Sequence, residues 1–187
     1  SKDGQILEVS QKAPKLPPIS LAAAMQTAAM LDWPGIPVKL SSLELLGRQT
    51  LFHLGGKSVL LDVAHNPHAV GRLKERINEW RLMRPSAKVL AVLGIYQDKA
   101  ADEMLGLLKG VVNSFYCSEV AEPRALSKDR LVEVLVNQGS TAQAFISIDV
   151  AIKEALERSE QDDLVVVLGS FPVVGEALNY FHEIRSE

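Results

Sequence analysis

From residue 49 onward, short apolar runs take turns with longer segments whose apolar residues recur every three or four positions. The runs at 49–54, 58–63, 88–93, 115–118, 144–148 and 164–168 predict six strands. The periodic segments at 68–82, 100–112, 128–136, 150–158 and 171–184 predict the helices between them. Residues 58–63 and 164–168 are apolar without alternation, the pattern of strands covered on both faces. Strands and helices alternating at these lengths predict an α/β, Rossmann-like fold: a mostly parallel, doubly wound sheet of about six strands. Right-handed crossovers then bring the C-terminal strand ends to one edge, where ligands bind in such folds.

The first 40 residues read differently. Residues 1–18 are polar and then proline-punctuated, as in an extended lead-in and linker. Ser20 is placed to cap a helix over 21–31, whose sequence LAAAMQTAAML is apolar on nearly every side and expects burial on several. A second short helix is expected after Pro37, ending at Gly47. Gly55-Gly56-Lys57-Ser58 imitates the end of a phosphate-binding loop. It precedes a strand instead of following one, so it reads as a hairpin turn.

Composition narrows the function classes. At 187 residues, 47% hydrophobic, the chain fits one domain and an appendage. A net charge of −3 with 23% charged residues speaks against disorder and against a basic nucleic-acid-binding surface. Anions can still bind through local geometry. The single cysteine, Cys117, excludes a disulfide within the chain and reads as buried in its strand. No zinc-site spacing is present, so no metal ligands are assigned. No apolar run reaches the ~18 residues of a membrane span, and no signal-peptide pattern opens the chain, so the expected compartment is the cytoplasm.

The densest chemistry is Asp62-Val63-Ala64-His65-Asn66-Pro67-His68-Ala69, at the end of an apolar strand. Asn66 suits an N-cap and Pro67 the first helical turn, so a helix start is expected there, with amides that favour an anion. Asp62 can accept from a ribose diol, and His65 can serve phosphate or carboxylate groups. Leu168-Gly169-Ser170-Phe171 is a second strand exit, where Gly169 permits close approach and Ser170 can cap while offering its hydroxyl. At the exit Gly94 to Lys99, Asp98 is expected to cap the next helix, and Lys99 either reaches an anion or is solvated. Arg124, in a loop after the Cys117 strand, either reads a carboxylate or is a surface residue. His53 and His182 are isolated and read as structural or solvated.

Taken in order, these pieces resemble the folylpolyglutamate and dihydrofolate synthases of the Mur ligase superfamily. Residues 62–69 are similar to that family's D-x-A-H-N-P-H-A, and Leu45-Leu46-Gly47-Arg48 to its L-P-G-R, without the proline. Gly94 to Lys99 resembles G-x-x-x-D-K, Pro123-Arg124 its Pro-Arg pair, and Gly169-Ser170-Phe171 its terminal G-S-F. The resemblance implies a C-terminal, glutamate-ligase domain over 41–187. It implies that residues 1–40 are a helical remnant of an N-terminal ATP-binding domain that carries the phosphate loop and the magnesium site. The implied reaction joins L-glutamate to dihydropteroate or folate with ATP and Mg, and the chain alone is expected to be inactive. By motif, Arg48 and Asp62 would hold the adenosine, and His65 and Ser170 would lie near the glutamate and the transferred phosphate. Asn66, Asp98, Lys99 and Arg124 are further substrate-binding candidates. Two rival readings are a peptidoglycan-type Mur ligase domain and a non-catalytic Rossmann-like module for an anionic ligand.

Overall fold

A computed structural model describes residues 47–186 except 55, 98 and 99, together with 26, 27, 30 and 31. The chain divides into two units, residues 1–45 and 46–187. In the first, Gln26, Thr27 and Met30 are helical and Leu31 donates its amide to the Thr27 carbonyl at 3.0 Å, inside the helix expected over 21–31. The rest of that helix, the extended lead-in and the short helix expected after Pro37 lie outside the described residues.

In the second unit six strands and five helices alternate. The strands are β1 (Thr50–Leu54), β2 (Lys57–Asp62), β3 (Val89–Leu93), β4 (Ser114–Cys117), β5 (Ala142–Ala144) and β6 (Leu164–Leu168). The helices are α1 (Pro67–Met83), α2 (Ala101–Leu108), α3 (Lys128–Asn137), α4 (Ile148–Arg158) and α5 (Phe171–Ser186). One sheet runs in the order β1-β2-β6-β3-β4-β5. Only β1 is antiparallel, joined to β2 by a tight hairpin in which Leu54 pairs with Lys57 and Gly56 turns at φ +80°. Its fold is therefore the Rossmann-like, mostly parallel architecture read from the sequence.

The unbroken apolar runs have a simple cause. In β6, Leu164, Val166 and Leu168 face α1, α2 and α3, while Val165 and Val167 face α4 and α5. Both faces are dry, so neither tolerates the polar residues of an alternating strand. Val70, Leu73 and Ile77 form the buried stripe of α1, at the three- and four-residue spacing that puts side chains on one face.

Two element boundaries differ from the sequence reading. The run at 144–148 is not a strand: β5 ends at Ala144, and Ser147 is the N-cap of α4. Phe145 stacks on Tyr116 with centroids 5.4 Å apart, Ile146 is exposed, and Ile148 is buried inside the helix. Three apolar residues within four positions thus serve three different purposes. The helix expected over 100–112 ends at Leu108, because the chain turns at Gly110 with φ +75°. Val111 and Val112 remain buried, as loop residues.

Candidate functional site

Strands β2, β6 and β3 finish in one row. Asp62 pairs with Leu168, and Leu168 with Leu93, each the last residue of its strand. The segments that follow, Val63 to His65, Gly169-Ser170 and Gly94, therefore emerge side by side at the C-terminal edge. Gly169 adopts φ +128°, and a Cβ there would lie 2.1 Å from the Gly94 carbonyl oxygen. Only glycine lets β6 leave the sheet this close to its neighbour.

Asp62 is the electrostatic centre of the row. Its side chain is 7% exposed, and burial raises its pKa from an ordinary 3.8 to about 6. The backbone amides of Ala64 and Gln49 and the Arg48 and Arg72 guanidiniums lie near enough to its carboxylate to oppose the shift. Residues 47–49 are folded onto this strand exit: the Gly47 carbonyl accepts from Val63 N at 2.7 Å, and Gly47 N donates to Thr50 Oγ1 at 3.1 Å. Gly47 has φ +79°, and a Cβ there would stand 2.7 Å from Val174 Cγ1. Gln49 is left-handed without being glycine, at φ +50°. The fold thus brings Arg48 and Asp62 together as the motif order suggested.

Helix α1 starts as expected. Asn66 is its N-cap, accepting from Ala69 N at 2.9 Å, and Pro67 follows. His65, just before the cap, is half-buried. Its Nδ1 lies 2.7 Å from the Val63 carbonyl, and its ring stands 6.2 Å from that of Phe171 at 44°. Phe171 follows Ser170, so β2 and β6 bring His65 and Ser170 to the same place from different parts of the chain.

Ser170 departs from one expectation. Its carbonyl accepts Val174 N at 3.2 Å, but its hydroxyl caps nothing. The residue is 2% exposed and its Oγ has no hydrogen-bond partner. A buried hydroxyl without a protein partner is costly, a condition that Ser118, Trp80 and Gln138 share elsewhere in the fold.

Asp98 and Lys99 lie outside the described residues, and the N-cap position of α2 belongs to Ala100, with no side-chain cap, in place of the expected Asp98. Arg124 is exposed, its guanidinium 4.3 Å above the Tyr96 ring. Its loop is pinned to the β3 exit: Gln97 N donates to the Arg124 carbonyl and Leu126 N to that of Ile95, each at 2.9 Å. Cys117 is buried as expected, its thiol pushed up to about 12 by desolvation. His53 is exposed, with Nδ1 3.3 Å from Ser58 Oγ. Among the described residues no three His, Cys, Asp or Glu side chains are grouped to hold a metal ion, and no helix is long and apolar enough to cross a membrane.

Three residues of this edge escaped the sequence reading. Arg72 belongs to the second turn of α1, and its helical offset of ten residues from Asp62 carries no motif. Tyr96 reads as a strand-exit aromatic until Arg124 is seen over it. Phe171 was visible only as part of a motif, without a purpose of its own.

Comparison with known proteins shows the family and the fold. The family model described as Mur ligase, glutamate ligase domain, matches residues 47–171. The dihydrofolate synthase/folylpolyglutamate synthase of Escherichia coli K12 is 34% identical over 128 residues, 68% of this chain and 29% of that protein. The structure of E. coli FolC in complex with DHPP and ADP superposes with a TM-score of 0.79 at 29% identity, covering 92% of this chain and 41% of that one. A bifunctional folylpolyglutamate synthase/dihydrofolate synthase with Mn, AMPPNP and L-glutamate bound gives 0.76 at 27% identity, covering 91% and 41%. The chain spans less than half the length of these relatives. It belongs to the Mur ligase family as a glutamate ligase domain, and within that family it is similar to the C-terminal domain of the folylpolyglutamate and dihydrofolate synthases.

Proposed function

We propose that the chain is the C-terminal part, over 41–187, of an ATP-dependent ligase that joins L-glutamate to dihydropteroate or a reduced folate. Residues 1–40 then belong to the end of an ATP-binding domain of the same polypeptide, and the compartment is the cytoplasm. The observation that carries this reading is the row formed by Asp62, His65 and Ser170. It holds a buried carboxylate with two backbone amides beside it, an imidazole with one nitrogen engaged, and a buried hydroxyl with no partner.

The chemistry divides along that row. A carboxylate has about four lone-pair sites. Even with the amides of Gln49 and Ala64 beside it, the Asp62 carboxylate keeps acceptors for the two hydroxyls of a ribose. Arg48, exposed on the adjoining turn, offers charge to the same nucleotide. ATP, when bound, supplies the phosphoryl group that turns the acceptor's carboxylate into an acyl phosphate. The amine of glutamate then forms the new C–N bond, the C–O bond to phosphate breaks, and the amine gives up a proton. Ser170 Oγ is placed to hydrogen-bond the glutamate or the transferred phosphate, and the free nitrogen of His65 to accept from the amine. Asn66 is occupied as a cap. Asp98, Lys99 and Arg124 stay as outer substrate-binding candidates, the two cations for substrate carboxylates. The described residues offer no cluster for magnesium, which is assigned to the ATP-binding domain.

The relatives favour folate over the peptidoglycan reading, since those named above are folate-type synthases. The test is a ligase assay. The polypeptide that carries this chain together with its ATP-binding domain should release ADP only when L-glutamate and a pteroate or folate acceptor are both present. The chain by itself should not. Turnover with peptidoglycan precursors instead, or by the chain alone, overturns the proposal.

A further inference from the structure

We propose that Phe171 is a positioning residue: with the Val63 carbonyl, it holds His65 as the Nδ1–H tautomer and leaves Nε2 as the nitrogen that meets the ligand.

Three observations carry this. First, a carbonyl oxygen can only accept, so the 2.7 Å contact between His65 Nδ1 and Val63 O places the proton on Nδ1. In the neutral ring Nε2 then has the lone pair. A free imidazole in water prefers the opposite tautomer, so the protein has to impose this one.

Second, one hydrogen bond fixes a point on the ring but not its plane. The plane meets Phe171, tilted at 44° with centroids 6.2 Å apart, within the range of favourable aromatic pairs. Third, Phe171 is 61% exposed. Its neighbours Val173, Val174 and Ala177 bury themselves in the core, whereas most of this ring stays in water. Core packing does not account for a large aromatic there, and the contact with His65 does.

Chain order adds a reason for this arrangement. Phe171 follows Ser170 directly, and β6 lies beside β2. The strand exit that delivers the unpartnered hydroxyl therefore also delivers the ring that orients the imidazole. Any shift of the α5 start moves both together.

The inference rests on the reading of His65 as a site residue, but its test does not depend on ligase activity. Long-range ¹H–¹⁵N correlation spectra of the full 187-residue chain, recorded near pH 8.5 where a histidine is neutral, report each tautomer. His65 is assigned by its loss in His65→Gln. The wild type should show His65 predominantly as Nδ1–H. Phe171→Ala should move it toward the aqueous mixture in which Nε2–H prevails, and Phe171→Tyr should restore the wild-type signature. Because the ring is mostly exposed, the fold should survive; circular dichroism checks this, and Phe171→Leu replaces the alanine variant if it does not. A wild-type His65 in the Nε2–H form, or a signature unchanged without the aromatic ring, overturns the proposal. Failure of the ligase assay with the tautomer shift intact would instead sink the functional reading alone.

Discussion

Asp62 and Leu168 face each other as the last residues of neighbouring parallel strands, and everything that follows either of them opens on the same edge. The buried carboxylate of one strand and the Gly169-Ser170 exit of the other are held in register by the sheet itself. No flexible loop is needed to bring them together, which is the advantage of building a site on strand ends.

The tightest part of this arrangement is Gly169. Alanine there would combine a positive φ with a Cβ driven against the Gly94 carbonyl. Gly169→Ala should cost about 3 kcal/mol or more of unfolding free energy, from strain and overpacking together. Gly71, inside α1, has nothing within 4 Å of its would-be Cβ. Gly71→Ala should stabilise by roughly 0.5–1 kcal/mol. Urea unfolding of the two variants reads both signs, and equal effects would contradict the close approach.

Burial of Asp62 predicts a slope of stability with pH. Its pKa rises from 3.8 to about 6 on folding, so between those values the native state binds a proton that the unfolded chain has lost. This contribution is complete below about pH 4 and is lost as pH rises through 6, amounting to about 3 kcal/mol at most. Asp62→Asn stands for the protonated form and should flatten that slope in urea unfolding between pH 4 and 7.5. An identical slope in the variant would mean the carboxylate is not desolvated.

The two guanidiniums near Asp62 act against its burial, Arg48 more than Arg72. Carboxyl ¹³C titration should show the Asp62 midpoint moving upward in Arg48→Ala and, by less, in Arg72→Ala. Absence of movement in both would remove the arginines from the site.

Asn66 offers a local check on the helix that starts at the site. Asn66→Ala removes the acceptor for Ala69 N and should cost about 1 kcal/mol. Asn66→Asp should largely keep it, because the carboxylate still accepts and suits the helix dipole.

Much of this was legible in the sequence because single residues with narrow physical uses marked it. Asn66-Pro67 announced a helix start, Gly56 a hairpin, and the unbroken run at 164–168 a doubly covered strand. The run at 144–148 misled for the opposite reason: Phe145, Ile146 and Ile148 are all apolar, but one stacks, one is exposed and one is helical. Local hydrophobicity does not distinguish these fates, since each depends on partners such as Tyr116 that are distant in sequence. Ser170 was found through its motif, whereas the lack of any partner for its hydroxyl exists only in three dimensions. Arg72 and Phe171 matter through pairings with Asp62 and His65, and a pairing leaves no trace at either position alone.

The most direct test of the site is to titrate the ¹⁵N-labelled chain with ADP and follow its backbone amides. The amides of Gln49 and Ala64, which lie beside the Asp62 carboxylate, should move most, with His65 following, and Asp62→Ala should abolish the response. Shifts concentrated at the opposite edge of the sheet, or a response that survives the loss of Asp62, would contradict the account.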